Sequence, residues 1–384
     1  MGAIFLIGAA FALFFAVLLS NKKAKRLPDQ VLSAWFLIIM LHLLGYYTYY
    51  EKAYLEYPHL LGLEDAFPFL YGPLLFIYTD TLRARTPTFK KSYWLHFIPF
   101  LLSNLLYLPY YLADGSRKVD LYFAGELPFI KVVIALKLLA GPVYVVWVWI
   151  LLKKHRANIQ QYFSFREKID LNWLKHLTFG FGAFLIVVLI SFFTEQIVFP
   201  INSDFMISTA VAVCVIALGY WGFKQGAIFA EASLPATEAT PRVAPGASPP
   251  DGKEIQPVKY EKSGLKEKDA KAYLKILTAY MEEEKPYLNS TLTIEEVAKT
   301  LDIPRHSLTQ IINQKLGKNF YQFVNDYRVE ESKKRLLDPA NQPLTLLAIG
   351  YDSGFNSKSS FNTIFKRATG MTPSQFKKLN DVQP

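Results

Sequence analysis

Seven apolar stretches in the first 229 residues constrain this chain more than any other feature. They run over about 3–20, 31–50, 66–82, 93–112, 129–152, 177–199 and 205–223. Each approaches or exceeds the roughly 20 residues that carry a helix across a bilayer core of about 30 Å. Lipid offers no partner for a free backbone amide, so such segments must be helical. The third is the shortest and carries Pro68, Gly72 and Pro73. The first begins at the N-terminus, and the basic cluster Lys22, Lys23, Lys25 and Arg26 follows it. A cleaved signal peptide has the opposite order.

Loop charge orients the bundle. On one side lie that cluster, Arg83, Arg85, Lys90, Lys91, Lys153, Lys154, Arg156, Arg166, Lys168 and Lys224, 14 basic residues in all. The other side holds only Lys52, Arg117 and Lys118. Basic residues mark the cytoplasmic face. The expectation is therefore an outside N-terminus, seven spans and a cytoplasmic C-terminal domain at a bacterial inner membrane. Tyr46, Tyr47, Tyr49, Tyr50, Tyr107, Tyr110 and Tyr111 then fall at the outer interface, as a belt or as the rim of a ligand pocket.

Polar groups within the spans are costly and face protein or water. They are His42, Asp80, His96, Asn104, Lys131, Lys137, Glu195 and Gln196. Lys137 and Glu195 stand in the outer parts of the fifth and sixth spans, where a structural salt bridge and a ligand site are both open readings. The two histidines read as packing residues, and Lys131 as one whose amine reaches the outer surface.

Composition separates two halves. The mean hydropathy of +0.17 averages an apolar region and an ordinary soluble one. Of the net charge of +10, residues 264–384 supply only +4, from 18 Lys and Arg against 14 Asp and Glu. Membrane topology and nucleic-acid binding both account for such a balance. Cys214 is the one cysteine, so no intrachain disulfide and no cysteine-rich zinc site exist. No HExxH pair, Gly-rich phosphate loop or GxSxG elbow occurs. The reading is of a chain that is not an enzyme and needs no metal or cofactor.

Between the halves, residues 230–263 contain six prolines with Ala, Ser and Thr. Such a segment buries too little apolar surface to fold. Its end-to-end distance is on the order of 30 Å, enough for a tether. The domains are thus 1–229, 230–263 and 264–384.

The last domain reads as entirely helical, which makes the whole chain all-α. A helix over about 266–285 ends at Pro286. Thr293 and Glu296 form a capping box. Ile294, Val297, Ala298 and Leu301 follow at helical spacing. After the turn at Asp302-Ile303, Pro304 suits a first helical turn, and Leu308, Ile311, Ile312 and Leu316 make a buried stripe ended by Gly317. Arg305, His306, Ser307, Thr309, Gln310 and Asn313 are left to point outward, where such side chains can read base edges and phosphates. A helix over about 319–337 comes next. The pattern then recurs: a short helix, a turn at Asp352-Ser353-Gly354, and a second helix with Asn356 as its expected cap. Phe361, Ile364 and Phe365 face inward, and Ser357, Lys358, Ser359, Asn362, Thr363, Lys366 and Arg367 outward.

Two helix-turn-helix units joined by one long helix resemble the AraC/XylS-type DNA-binding domain. The run GFNSKSSFNTIFKRATGMTPSQFKK, Gly354 to Lys378, is similar to that family's signature of Gly-Phe, a Phe in the helix, Phe-Lys, Gly and x-Pro. The resemblance covers nearly all of the last domain. Lys377 stands where an arginine is frequent, and Pro304 where a hydroxyl or amide cap is frequent. The resemblance implies two recognition helices entering successive major-groove segments of double-stranded DNA, with specificity carried by the outward residues named above. Lys358, Lys366 and Arg367 suit phosphate. The expected function is a membrane-bound transcriptional regulator gated by a small-molecule or lipid signal. Confinement to the bilayer favours pairing as a homodimer. The alternative is a receptor or transporter whose cytoplasmic domain reports occupancy to a protein partner.

Overall fold

The computed structural model describes residues 2–381 except 24, 85, 86, 128, 166–168, 195–210, 212, 214 and 222–266. Every regular element among the described residues is helical, as expected of an all-α chain. The chain divides into two compact units. One comprises Met1–His155 and Leu171–Pro235, the other Arg156–Asp170 and Ala236–Pro384. The expected boundary at 229 kept residues 156–170 with the hydrophobic half. By their contacts they join the C-terminal unit instead.

In the first unit, α1 (Ala3–Ser20) and α2 (Leu27–Tyr50) pack as an antiparallel pair. Gly8, Ala9, Ala12 and Ala16 line the buried side of α1. Small residues let helix backbones approach closely, and the Ser33 hydroxyl of α2 donates to the Ala16 carbonyl at 2.9 Å. Asp29 holds the start of α2, accepting from the Arg26 amide at 2.9 Å and from Lys22 at 2.7 Å. α3 (Pro68–Leu82) is the most enclosed helix. At Gly72 a Cβ would lie 2.3 Å from the Tyr144 ring, so glycine is what admits that ring.

The expected fourth span, 93–112, is not one helix. It is a 3-10 turn over Lys91–Phe97, then α4 (Ile98–Leu106) and α5 (Leu108–Tyr111). Pro99 and Pro109 sit in the first turns of the latter two. Proline starts a helix well but cannot continue one, having no N–H to donate. After α6 (Gly115–Phe123), α7 (Ile130–Tyr162) extends for 33 residues, past the expected end at 152. At 1.5 Å per residue that is roughly 50 Å, longer than a bilayer core. α8 (Asn172–Thr194) follows. Four helical segments among the described residues are long and apolar enough to cross a membrane: Ala3–Ser20, Leu27–Tyr50, Pro58–Leu82 and Ile130–Tyr162. Most of the seventh expected span and the linker lie outside the described residues.

One expectation for this unit changes. Tyr107 and Tyr110 are buried against Phe69, Leu127 and Val133, so they are packing residues rather than an interfacial belt. Lys137 lies 3.8 Å from Asp65, while Glu195, its expected partner, lies outside the described residues. His42 meets the Tyr71 hydroxyl and His96 the Tyr144 hydroxyl, in keeping with packing roles.

The second unit has two lobes sharing one helix. The first lobe packs α9 (Glu267–Glu283), α10 (Ile294–Thr300) and α11 (Arg305–Leu316) around Leu277, Val297, Leu308 and Ile312. The second packs α13 (Leu346–Asp352), α14 (Lys358–Thr369) and α15 (Pro373–Asp381) around Ile349, Phe361, Ile364 and Phe365. α12 (Phe320–Leu337) gives Phe320, Phe323 and Val324 to the first lobe and Val329 and Leu336 to the second. Gly354 seats one lobe on the other. Its φ is +88°, and a Cβ there would lie 2.2 Å from the Tyr287 carbonyl oxygen. No other residue fits both conditions.

Candidate nucleic-acid interface

Each lobe presents a helix-turn-helix built by the same local chemistry. In the first, the Thr293 hydroxyl accepts from the Glu296 amide at 3.2 Å, and Glu296 accepts from the Thr293 amide at 2.8 Å, the expected capping box. In the second, the Thr345 hydroxyl accepts from the Ala348 amide at 3.1 Å. α11 and α14 are both 12 residues long and both end at a glycine in the left-handed region, Gly317 and Gly370. Leu308 matches Phe361, Ile311 matches Ile364, and Ile312 matches Phe365, all buried.

Their N-termini differ. Ser357, not the expected Asn356, caps α14 by accepting from the Ser360 amide at 3.1 Å. Pro304 occupies the cap position of α11, one place before the first turn, and supplies no side-chain cap.

Their outward faces differ more. On α14, Lys358, Ser359, Asn362, Thr363, Lys366 and Arg367 are all exposed, and Ser357 is half-buried by its capping role. Lys358, Asn362, Thr363 and Lys366 line an open groove together with Leu346 and Ser374. Lys366 and Arg367 fall in the last turn, where the helix dipole also favours cations. This face offers amides and hydroxyls for base edges, flanked by cations for phosphates.

Of the six residues expected to face outward on α11, only Arg305 and His306 are exposed, and Gln314 and Lys315 further along the helix are exposed as well. Thr309 and Asn313 are half-buried, and Ser307 and Gln310 are buried, 3% and 7% exposed. The expectation that Ser307 and Gln310 point outward is corrected. Ser307 precedes Ile311 by four residues and so shares the core side of the helix. Gln310 is buried although it lies roughly opposite Leu308 on the helix. Its amide donates to Gln314 at 3.1 Å.

Residues 156–165 lie against this face. The Asn313 amide donates to the Gln161 side-chain oxygen at 3.1 Å, and that of Asn319 to Gln160 at 3.4 Å. The Arg305 guanidinium sits 5.0 Å from the Tyr162 ring centre. Phe163 bridges Thr293 in antiparallel fashion.

Ser164, 1% exposed, is gripped through its backbone and side chain. Its amide and hydroxyl donate to the Leu292 carbonyl at 3.1 and 2.7 Å. Its carbonyl accepts from Arg328 at 2.8 Å and from Asn325 at 3.2 Å. Its hydroxyl accepts from Arg328 at 3.0 Å. Arg328, 1% exposed on α12, also donates to the Tyr287 and Asn289 carbonyls at 2.8 Å each. Burial, with Glu331 alongside, pushes the Tyr287 hydroxyl up to about 12, so it stays a neutral donor. Sequence reasoning missed Arg328 and Ser164. The available signal was a cation in the buried stripe of the 319–337 helix, which demands an acceptor set.

Comparison with known proteins agrees with this geometry. Residues 297–379 match a family described as a helix-turn-helix domain. Over 89 residues the chain is 33% identical to an HTH-type transcriptional regulator of Bacillus subtilis, covering 23% of this chain and 30% of that one. Over 95 residues it is 30% identical to another from Pseudoalteromonas carrageenovora, covering 25% and 54%. Over 99 residues it is 29% identical to the arabinose operon regulatory protein of Escherichia coli, covering 24% and 33%. The chain thus spans between about a third and a half of the length of these relatives. The C-terminal region of this chain is a helix-turn-helix domain of the AraC type.

Proposed function

We propose that this protein is a membrane-bound transcriptional regulator, reading double-stranded DNA through α11 and α14 and gated by a signal sensed in its hydrophobic module. The observation that carries the reading is the matched pair of recognition helices at the two ends of α12. Its 18 residues span roughly 27 Å, comparable to the rise of one DNA turn, about 34 Å. The exposed face of α14, with Lys358, Lys366 and Arg367, supplies the positive surface such binding needs.

Membrane attachment rests on the four long apolar helices and on the loop charge. The 14-to-3 split of basic residues favours a cytoplasmic C-terminal domain, where DNA is accessible. The relatives are regulators by name, which supports a chain that is not an enzyme. Two copies confined to one bilayer would occupy paired sites more readily than free ones. Genome-wide mapping of DNA bound by the full-length protein tests the reading. Enrichment at discrete sites sharing one sequence pattern is expected. Absence of any sequence-specific site under all growth conditions would overturn it.

A further inference from the structure

We infer that residues 160–164 are an internal occupant of the first helix-turn-helix unit, held where DNA would be read, so that only the second unit is open in this arrangement. The inference rests on the DNA-reading role proposed above and adds to it which unit is controlled and by what.

The two recognition helices are each other's control. Their capping glycines, lengths and buried stripes correspond position by position. Matched surface positions should therefore be equally exposed if nothing else touched them. Asn362, Thr363 and Lys366 are exposed on α14, yet their counterparts Thr309, Gln310 and Asn313 are half-buried or buried on α11. α9 packs on α11 as well, and at Asn313 and Arg305 the contacts are made by the segment. Gln161 takes the Asn313 amide and Tyr162 lies beneath the Arg305 guanidinium.

The chemistry is that of competition. A side-chain amide presents an acceptor to Asn313 much as a base edge does. One Asn313 Nδ2 proton pointed at Gln161 is not available to a base in the same direction. The Arg305 guanidinium, though exposed, is held against the Tyr162 ring, which fixes where it points.

The seat is built rather than incidental. Ser164 is anchored by its amide, carbonyl and hydroxyl to Leu292, Asn325 and Arg328. Tyr162 packs on the core of the first lobe. In sequence the segment is the end of α7 and the start of its connection to α8, two helices whose residues belong mainly to the hydrophobic unit. A change in those helices would therefore bear on the segment through the chain itself. DNA would be read in two steps: α14 engages first, and α11 engages once residues 160–164 have left.

The test uses the full chain in lipid nanodiscs and a DNA site obtained by genomic mapping. Wild type should protect the stretch read by α14 strongly and that read by α11 weakly. The double variant Q161A/Y162A should protect both and bind roughly tenfold more tightly, since a competitor that holds the site nine-tenths of the time lowers affinity by that factor. Equal affinity and equal footprints in wild type and variant would overturn the inference while leaving the DNA-reading role intact. Binding by neither, with no effect of Lys366→Ala, would overturn both. A second readout does not depend on affinity. With Cys214→Ser, the variant Ser164→Cys carries one buried thiol. Its reaction with maleimide should be slow without DNA and accelerate when DNA is added. An unchanged rate at saturating DNA would show that the segment stays seated, and would refute the competition.

Discussion

The two helix-turn-helix units of this protein are nearly the same object locally and differ in what surrounds them. α11 and α14 share length, buried stripe and glycine terminus. α14 shows its polar face to solvent, whereas α11 meets Gln161 and Tyr162. Local chemistry therefore makes a recognition helix, and tertiary contacts decide whether it is available. A helix-turn-helix pattern alone identifies the element and leaves its accessibility open.

The largest expected effect comes from Arg328, which joins the first unit to residues 156–165. Arg328→Met would remove the donor to the buried Tyr287 carbonyl and one of the donors to the carbonyls of Asn289 and Ser164, and would open a polar hole among them. Leaving such groups unpaired costs about 1–3 kcal/mol each before relaxation. Chemical denaturation of the full chain, followed by a probe in each lobe, should show the first lobe losing about 3 kcal/mol or more and the second losing less. Equal loss in both would mean that Arg328 supports α12 as a whole rather than the first unit.

DNA binding gives the next largest effect. Lys366→Ala should weaken binding roughly tenfold across sequences and lower the salt slope by about one. Asn313→Ala should change little while its amide is held by Gln161, and should alter sequence preference once Q161A/Y162A has freed it. A large effect of Asn313→Ala in the otherwise wild-type chain would show that both units already read DNA.

The caps offer a smaller contrast. Ser357→Ala should cost the second unit about 1 kcal/mol, because the hydroxyl satisfies the Ser360 amide. Pro304 makes no such bond, so Pro304→Ser should cost little or stabilise the first unit, read as a shift in its denaturation midpoint.

The smallest effect is electrostatic. Lys315 bonds Glu267 at 2.6 Å and holds its carboxyl below the usual carboxylate range. A depressed carboxylate pKa contributes stability above the unfolded-state value, lost as pH falls through the folded value. The contact is at the surface and screened, so only a slight destabilisation of the first lobe is expected on acidification. Glu267→Gln should abolish that pH dependence, as followed by denaturation midpoints from neutral to acidic pH.

Much of this was legible in the sequence, because it depends on neighbours within a few residues. Thr293 and Glu296 cap a helix wherever they occur three apart with apolar positions following. Leu308, Ile311 and Ile312, and likewise Phe361, Ile364 and Phe365, share faces by helical period alone. Gly317 and Gly370 end their helices because a left-handed residue is needed there. The exposed surface of α14 followed from the same periodicity. Where a local rule had competitors it misplaced details. Ser357 rather than Asn356 took the cap, and prolines at 99 and 109 divided the expected fourth span.

Tertiary structure alone decided the rest. Periodicity gave Asn313 an outward direction but not what lies outward, and its amide is held by Gln161, some 150 positions earlier in the chain. Loop charge assigned residues 156–170 to a membrane-side loop and was silent on whether that loop is free. Its capture depends on Arg328, whose acceptors at Ser164, Tyr287 and Asn289 are brought together only when the helices pack. A sequence specifies which groups a helix presents. Which of them remain for DNA is set by partners that only folding brings within hydrogen-bonding distance.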